Sequence, residues 1–199
     1  MKHSLSKCGL ILITGFWISG CGNQQSSKNS ESLNDTSLNT NSDTVQAISE
    51  DKLIVPGNRI GKIIIGGNAD SLKDILGKPD FTEGAMGSGS MAWNNNGYKT
   101  TVLFSHAMGT KDEQIARIRK IRITSPDFKT AERLNTGLTL NDYKKRFDLT
   151  LLNNPMSKTK IKVYEAKGKG ITFEIDSVSN QGVGIIVHQP EDSLFTDLH

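Results

Sequence analysis

The sequence predicts an α+β fold: two tandem helix-plus-three-strand repeats forming one antiparallel sheet with helices on one face. Three observations predict it. Sliding the chain along itself by 71 residues aligns Gly66 with Gly137, Asn68 with Thr139, Leu72 with Tyr143, Leu76 with Phe147 and Trp93 with Tyr164. The segment Ile171-Thr172-Phe173-Glu174-Ile175-Asp176 alternates apolar and polar, the period of a strand with one buried face. Each aligned glycine is followed two residues later by a good helix N-cap, Asn68 or Thr139.

The 199-residue chain opens with a segment of different character. Lys2 and Lys7 make a basic start, and Gly9 to Ile18 is an apolar run. That run is too short to span a bilayer, which needs roughly 20 such residues. Ser19 and Gly20 are small. A positive start, a short apolar run and a small-residue step are the three parts of a secretory signal. The step Ile18-Ser19-Gly20-Cys21 resembles the bacterial lipobox. The resemblance implies diacylglyceryl transfer to the Cys21 sulfur and cleavage before it. Residues 1–20 are then the lipoprotein signal peptide. Cys8 and Cys21 are the two cysteines. With Cys8 removed and Cys21 alkylated, no disulfide can form, and core packing must hold the exported fold.

Residues 21–52 read as the lipidated Cys and a disordered tether rich in Ser, Asn and Thr. Leu33, Leu38, Val45 and Ile48 are its few aliphatic side chains. They cannot bury enough apolar surface to offset the entropy of ordering. A flexible coil of this length reaches about 30 Å. Its charge is net −3, against net +7 for residues 53–190. A basic module close to an anionic envelope surface is drawn towards it.

Repeat 1 spans 53–125. It predicts a helix near 69–77, with Leu72 and Leu76 on one face, and strands near 90–94, 100–105 and 118–124. Leu76-Gly77-Lys78-Pro79 closes the helix, because Gly permits a left-handed cap and Pro forbids continuation. Repeat 2 spans 126–199. Its helix falls near 140–148, with strands near 160–165, 170–176 and 183–188. Together the repeats make one folded unit over 53–190, since each alone is too small for a core. The stretch IGKIIIGGNADSLKDILGKPD, and more weakly TGLTLNDYKKRFDL, resembles the SmpA/OmlA-type assembly lipoproteins and the tandem-repeat fold of the β-lactamase inhibitor protein. Those families bind other proteins and do no chemistry. The resemblance therefore implies a binding role and no catalytic residue.

The pattern offers little for chemistry. His106, His188 and His199 show no metal-ligand spacing, so no metal and no cofactor are expected. Ser105 and His106 are strand neighbours that point to opposite faces, a poor nucleophile–base pair. Glu174 and Asp176 share one strand face, which solvent exposure explains. The basic run Arg117, Arg119, Lys120 and Arg122 suits either a solvated sheet face or an acidic partner, lipid headgroups or wall polyanion. Nucleic acid is not expected outside the cytoplasm. Trp93 and Tyr164, with Ile161 and Val163 inward, suit anchors on an open sheet face or caps on the core edge.

The sequence thus points to a non-enzymatic, lipid-anchored binding or scaffold module for another envelope protein. Its alternative is a tethered module for a small ligand or cell-wall fragment, and an unrecognised hydrolase ranks last. The membrane is reached through the N-terminal lipid. Gly22 is not the Asp of inner-membrane retention, which points to the outer membrane in a two-membrane host, and otherwise to the outer leaflet of the cytoplasmic membrane.

Overall fold

In the computed structural model, residues 47–152, 160–190 and 192 are described, all within the unit Val45–His199. The predicted signal, the predicted lipid site Cys21 and most of the predicted tether lie outside the described residues. The strands are β1 (Leu53–Val55), β2 (Arg59–Ile60), β3 (Ile63–Ile64), β4 (Phe81–Ala85), β5 (Ser88–Asn95) and β6 (Tyr98–Ser105). They continue as β7 (Arg117–Ile123), β8 (Lys129–Thr130), β9 (Thr150–Leu152), β10 (Ile161–Ala166), β11 (Ile171–Asp176) and β12 (Gly182–His188). The α-helices are α1 (Leu72–Leu76) and α2 (Leu140–Lys144), five residues each.

The fold is therefore mostly β, which corrects the α+β expectation. Among the described residues twelve strands form two sheets, one of four strands in the order β3-β2-β1-β8 and one of eight in the order β4-β5-β6-β7-β12-β11-β10-β9. The eight-stranded sheet is antiparallel throughout. Its core face is covered by the small sheet as much as by helices: Ile54, Ile60 and Ile63 join Ile118, Ile121, Ile171, Phe173 and Ile185 in one core. The helices are short for a physical reason. Gly77, at φ +79°, ends α1 after a 3₁₀ turn at Ala69–Ser71. The small sheet went unseen because its strands are two or three residues long, too short for any period to register.

The six strands expected from the sequence are present within two residues, as β5, β6, β7, β10, β11 and β12. β4 and β9 extend the sheet at its two edges. Each half runs from a capped short helix through four sequential strands, and the halves meet at β7 and β12. Matching hydrogen bonds dock each helix entry. Gly66 N–H donates to Ile118 O at 2.7 Å, and Gly137 N–H to Gly182 O at 2.7 Å. In the return direction, Ile118 N–H donates to Gly67 O at 2.9 Å and Gly182 N–H to Leu138 O at 2.8 Å.

The tether boundary also moves. Glu50–Lys52 form a 3₁₀ turn within the folded unit. Arg59 pairs with Glu50, Lys62 with Asp51 at 3.1 Å and Lys52 with Asp127 at 3.5 Å. A polar composition suggests tether, but here the charges have partners on the fold.

Candidate binding cleft and the basic strand

The basic run of β7 is not a free cationic surface. A bulge opposite Leu103/Phe104 lets Ile118 and Ile121 both face the core and leaves Arg119 as the extra residue. Arg117 donates to Gly66 O at 3.4 Å. Arg119 pairs with Asp192 at 3.1 Å. Arg122 grips Glu174, with Nε donating to Oε2 at 2.8 Å and Nη2 at 2.7 Å. The ion pair lies over Gly184, where a Cβ would sit 2.0 Å from the Glu174 carboxylate. Lys120 is buried.

Register explains that burial. Lys120 pairs with His188 across β7 and β12, and Thr172 with Glu165 across β11 and β10. On this second face of the sheet, His188, Thr172 and Glu165 are all buried. Thr172 Oγ1 lies 3.0 Å from His188 Nε2, Glu165 lies 3.5 Å from the same nitrogen, and His188 Nδ1 contacts Gln189 O at 2.8 Å. Among the described residues every buried side-chain polar atom has a partner. Nothing in the sequence spacing united these residues, because 45 residues of chain separate Lys120 from Glu165 and 52 separate it from Thr172.

The aromatic pair is placed on the core side, which corrects the sheet-face expectation. Trp93 pairs with Thr100, which pairs with Ile123, so the indole faces the core; it is 8 % exposed and donates Nε1–H to Gly77 O at 3.0 Å. Tyr164 pairs with Phe173 and packs against the core, with Lys144 Nζ 5.8 Å from its ring. Val163, read as inward, is buried on the opposite face. Both faces bury apolar groups in this half, so apolarity alone does not tell which side faces the core.

A more open site lies where α1, the small sheet and the β5–β6 hairpin meet. Two adjoining hollows, about 120 Å³ and about 470 Å³, share Leu76, Thr100 and Phe128. The smaller has an apolar floor of Ile60, Ile63, Ile75 and Ile123. The larger is rimmed by Asn94, Asn95, Asn96, Tyr98, Lys78 and Ser125. The Asn96-Gly97 turn, with φ of +50° and +81°, joins β5 to β6 as a two-residue hairpin. Asp80 holds the rim by accepting the Asn94 N–H at 2.6 Å. Lys52 stacks 4.5 Å over the Phe128 ring.

This cleft exists because the halves differ. Leu72 is buried, but its helical partner Leu76 is 37 % exposed, and Ile75 is 39 % exposed. In the other half Tyr143 and Phe147 stack on Phe173, at 4.4 and 5.6 Å between ring centroids. Large rings fill there what aliphatic side chains leave open here.

His106 Nδ1 contacts Glu113 O at 2.8 Å, and His199 lies outside the described residues. Asp176 accepts from the Val178 and Ser179 amides at 2.8 Å, structuring the β11–β12 turn, and these bonds hold its carboxyl below the usual range. No group of three or more His, Cys, Asp or Glu among the described residues could hold a metal ion. No helix among the described residues is long and apolar enough to cross a membrane.

No protein-family model and no curated protein sequence matches the chain. One solved structure is similar, that of an extracellular protein containing a SCP domain from Bacillus anthracis str. Ames. The identity is 16 %, the TM-score 0.40, and the match covers 63 % of this chain and 44 % of that one. The chain thus spans under half of that protein's length, and the likeness assigns no fold family and no function.

Proposed function

We propose that the chain is an exported lipoprotein, anchored through lipid on Cys21, whose folded unit is a non-enzymatic binding module for another envelope protein. The lipobox-like step after a basic start and a short apolar run supports the anchor. In a host with two membranes the anchor sits in the outer one, and otherwise in the outer leaflet of the cytoplasmic membrane. The matched helix entries of the two halves support an origin by duplication.

One observation carries the binding role: the exposed Ile75 and Leu76 at an apolar floor ringed by polar side chains. An apolar centre inside a polar rim is the anatomy of a protein interface. The role therefore attaches to the cleft and not to the sheet face. The Asn94–Asn96 rim favours the second reading, a small ligand or cell-wall fragment, since amides suit hydroxyl-rich ligands.

Affinity capture from detergent-solubilised envelopes separates the two. The protein reading expects one envelope protein to co-purify with the wild-type chain and to be lost with Leu76→Asp. Recovery of glycan fragments alone overturns it in favour of the second reading.

A further inference from the structure

The basic surface that matters is not the one the sequence displays most openly. β7 spends Arg119 and Arg122 on Asp192 and Glu174. A second basic run, Lys144-Lys145-Arg146, leaves the end of α2, and all three side chains are exposed. Lys162 is exposed as well, and it lies two residues from Tyr164 on the same face of β10. Lys144 reaches the Tyr164 ring, so the strand and helix cations border one surface.

That surface is amphipathic. Leu151, paired with Tyr164 across β9 and β10, is 48 % exposed. Phe147 and Leu149 are half-buried beside it. Two acids belong to the same region. Asp142 accepts from Thr139 Oγ1 at 2.7 Å and from Lys145 Nζ at 2.9 Å, so its charge is engaged locally. Asp148 is exposed and offsets one cation.

We infer that this α2–β9–β10 surface docks the folded unit on an anionic lipid bilayer, with Lys144, Arg146 and Lys162 at phosphate headgroups and Leu151 at the interface. Three exposed cations around an exposed leucine are complementary to negative headgroups over an apolar layer. The inference rests on the lipid-anchored reading, because the anchor keeps the unit within tether reach of that bilayer. A lipid chain and a basic patch together hold a protein where one chain alone gives marginal binding.

The test uses the mature chain, residues 21–199 with Cys21→Ser, so that neither the lipid nor the apolar run at Gly9–Ile18 contributes and failure here leaves the anchor to its own measurement. Flotation is measured on vesicles of phosphatidylcholine, with and without phosphatidylglycerol. The chain is expected to float only with phosphatidylglycerol and to dissociate as salt is added. Each cation near the surface contributes about fivefold. Lys144→Glu/Arg146→Glu/Lys162→Glu should therefore weaken binding by about 100-fold or more, with an unchanged circular dichroism spectrum. Lys73→Glu/Lys99→Glu/Lys111→Glu makes the same change in net charge in the other half and should bind nearly as the parent does. Absence of flotation with phosphatidylglycerol overturns the inference, and so does an equal loss in both triple variants. Binding to soluble polyglutamate without binding to vesicles overturns it in favour of an acidic macromolecule.

Discussion

Gly184 shows how one absent side chain sets local chemistry. A methyl group there would meet the Glu174 carboxylate at 2.0 Å and the Arg122 guanidinium at 3.2 Å. Only glycine lets the ion pair lie flat across β12. Gly184→Ala should destabilise the protein by about 1–3 kcal/mol, read as a lower urea midpoint at unchanged slope; an unchanged midpoint would show that the pair moves aside freely. Asp142 makes a second residue-scale prediction. Its bond from the Thr139 hydroxyl, then that from Lys145, hold its carboxyl at about 2, below the ordinary 3.8. A depressed folded value means the stabilisation is fully present above pH 3.8 and lost as pH falls towards 2. Over that window the melting temperature of the wild-type chain should fall more than that of Asp142→Asn. Parallel curves would remove Asp142 as a contributor.

At the scale of elements, α1 holds the contrast that opens the cleft. Leu72 is fully buried, so Leu72→Ala should cost about 2–5 kcal/mol. Leu76, at 37 % exposure, should cost under about 1 kcal/mol on the same change. Equal losses in denaturant titrations would place both leucines in the core and close the cleft. Trp93 is equally testable, since Trp17, the other tryptophan, lies in the predicted signal. Mature protein should emit at blue-shifted wavelength and resist iodide quenching, and a red-shifted, quenchable emission would contradict the core placement. What could be read in advance follows from these elements. β11 was legible because Ile171, Phe173 and Ile175 alternate cleanly with polar residues. β10 was misread because Val163 and Tyr164 are both sheltered, on opposite faces. β7 hid a bulge, which breaks the parity that places Arg119. The cleft had no local signal, because Leu76, Asn94 and Phe128 meet only through tertiary packing.

At the scale of the whole molecule, a cysteine-free sheet unit follows a segment whose Ile18-Ser19-Gly20-Cys21 step carries the proposed lipid attachment. The eight-stranded sheet forms from two sequential four-strand meanders, so most strand pairings are local and only β7–β12 closes a long loop. A core of isoleucine, with Phe173 and Tyr143 at its centre, holds together a unit that contains no cysteine. The cleft and the α2–β9–β10 surface belong to different halves, so the proposed protein partner and the proposed bilayer contact fall on separate surfaces.

Everything proposed about location depends on the chemistry at position 21. Intact-mass and peptide mass spectrometry of the protein from its native envelope measures it directly. The expected product begins at Cys21 and carries a diacylglyceryl group on sulfur. A chain that retains residues 1–20 with an unmodified Cys21 thiol would contradict the anchor and the envelope role built on it.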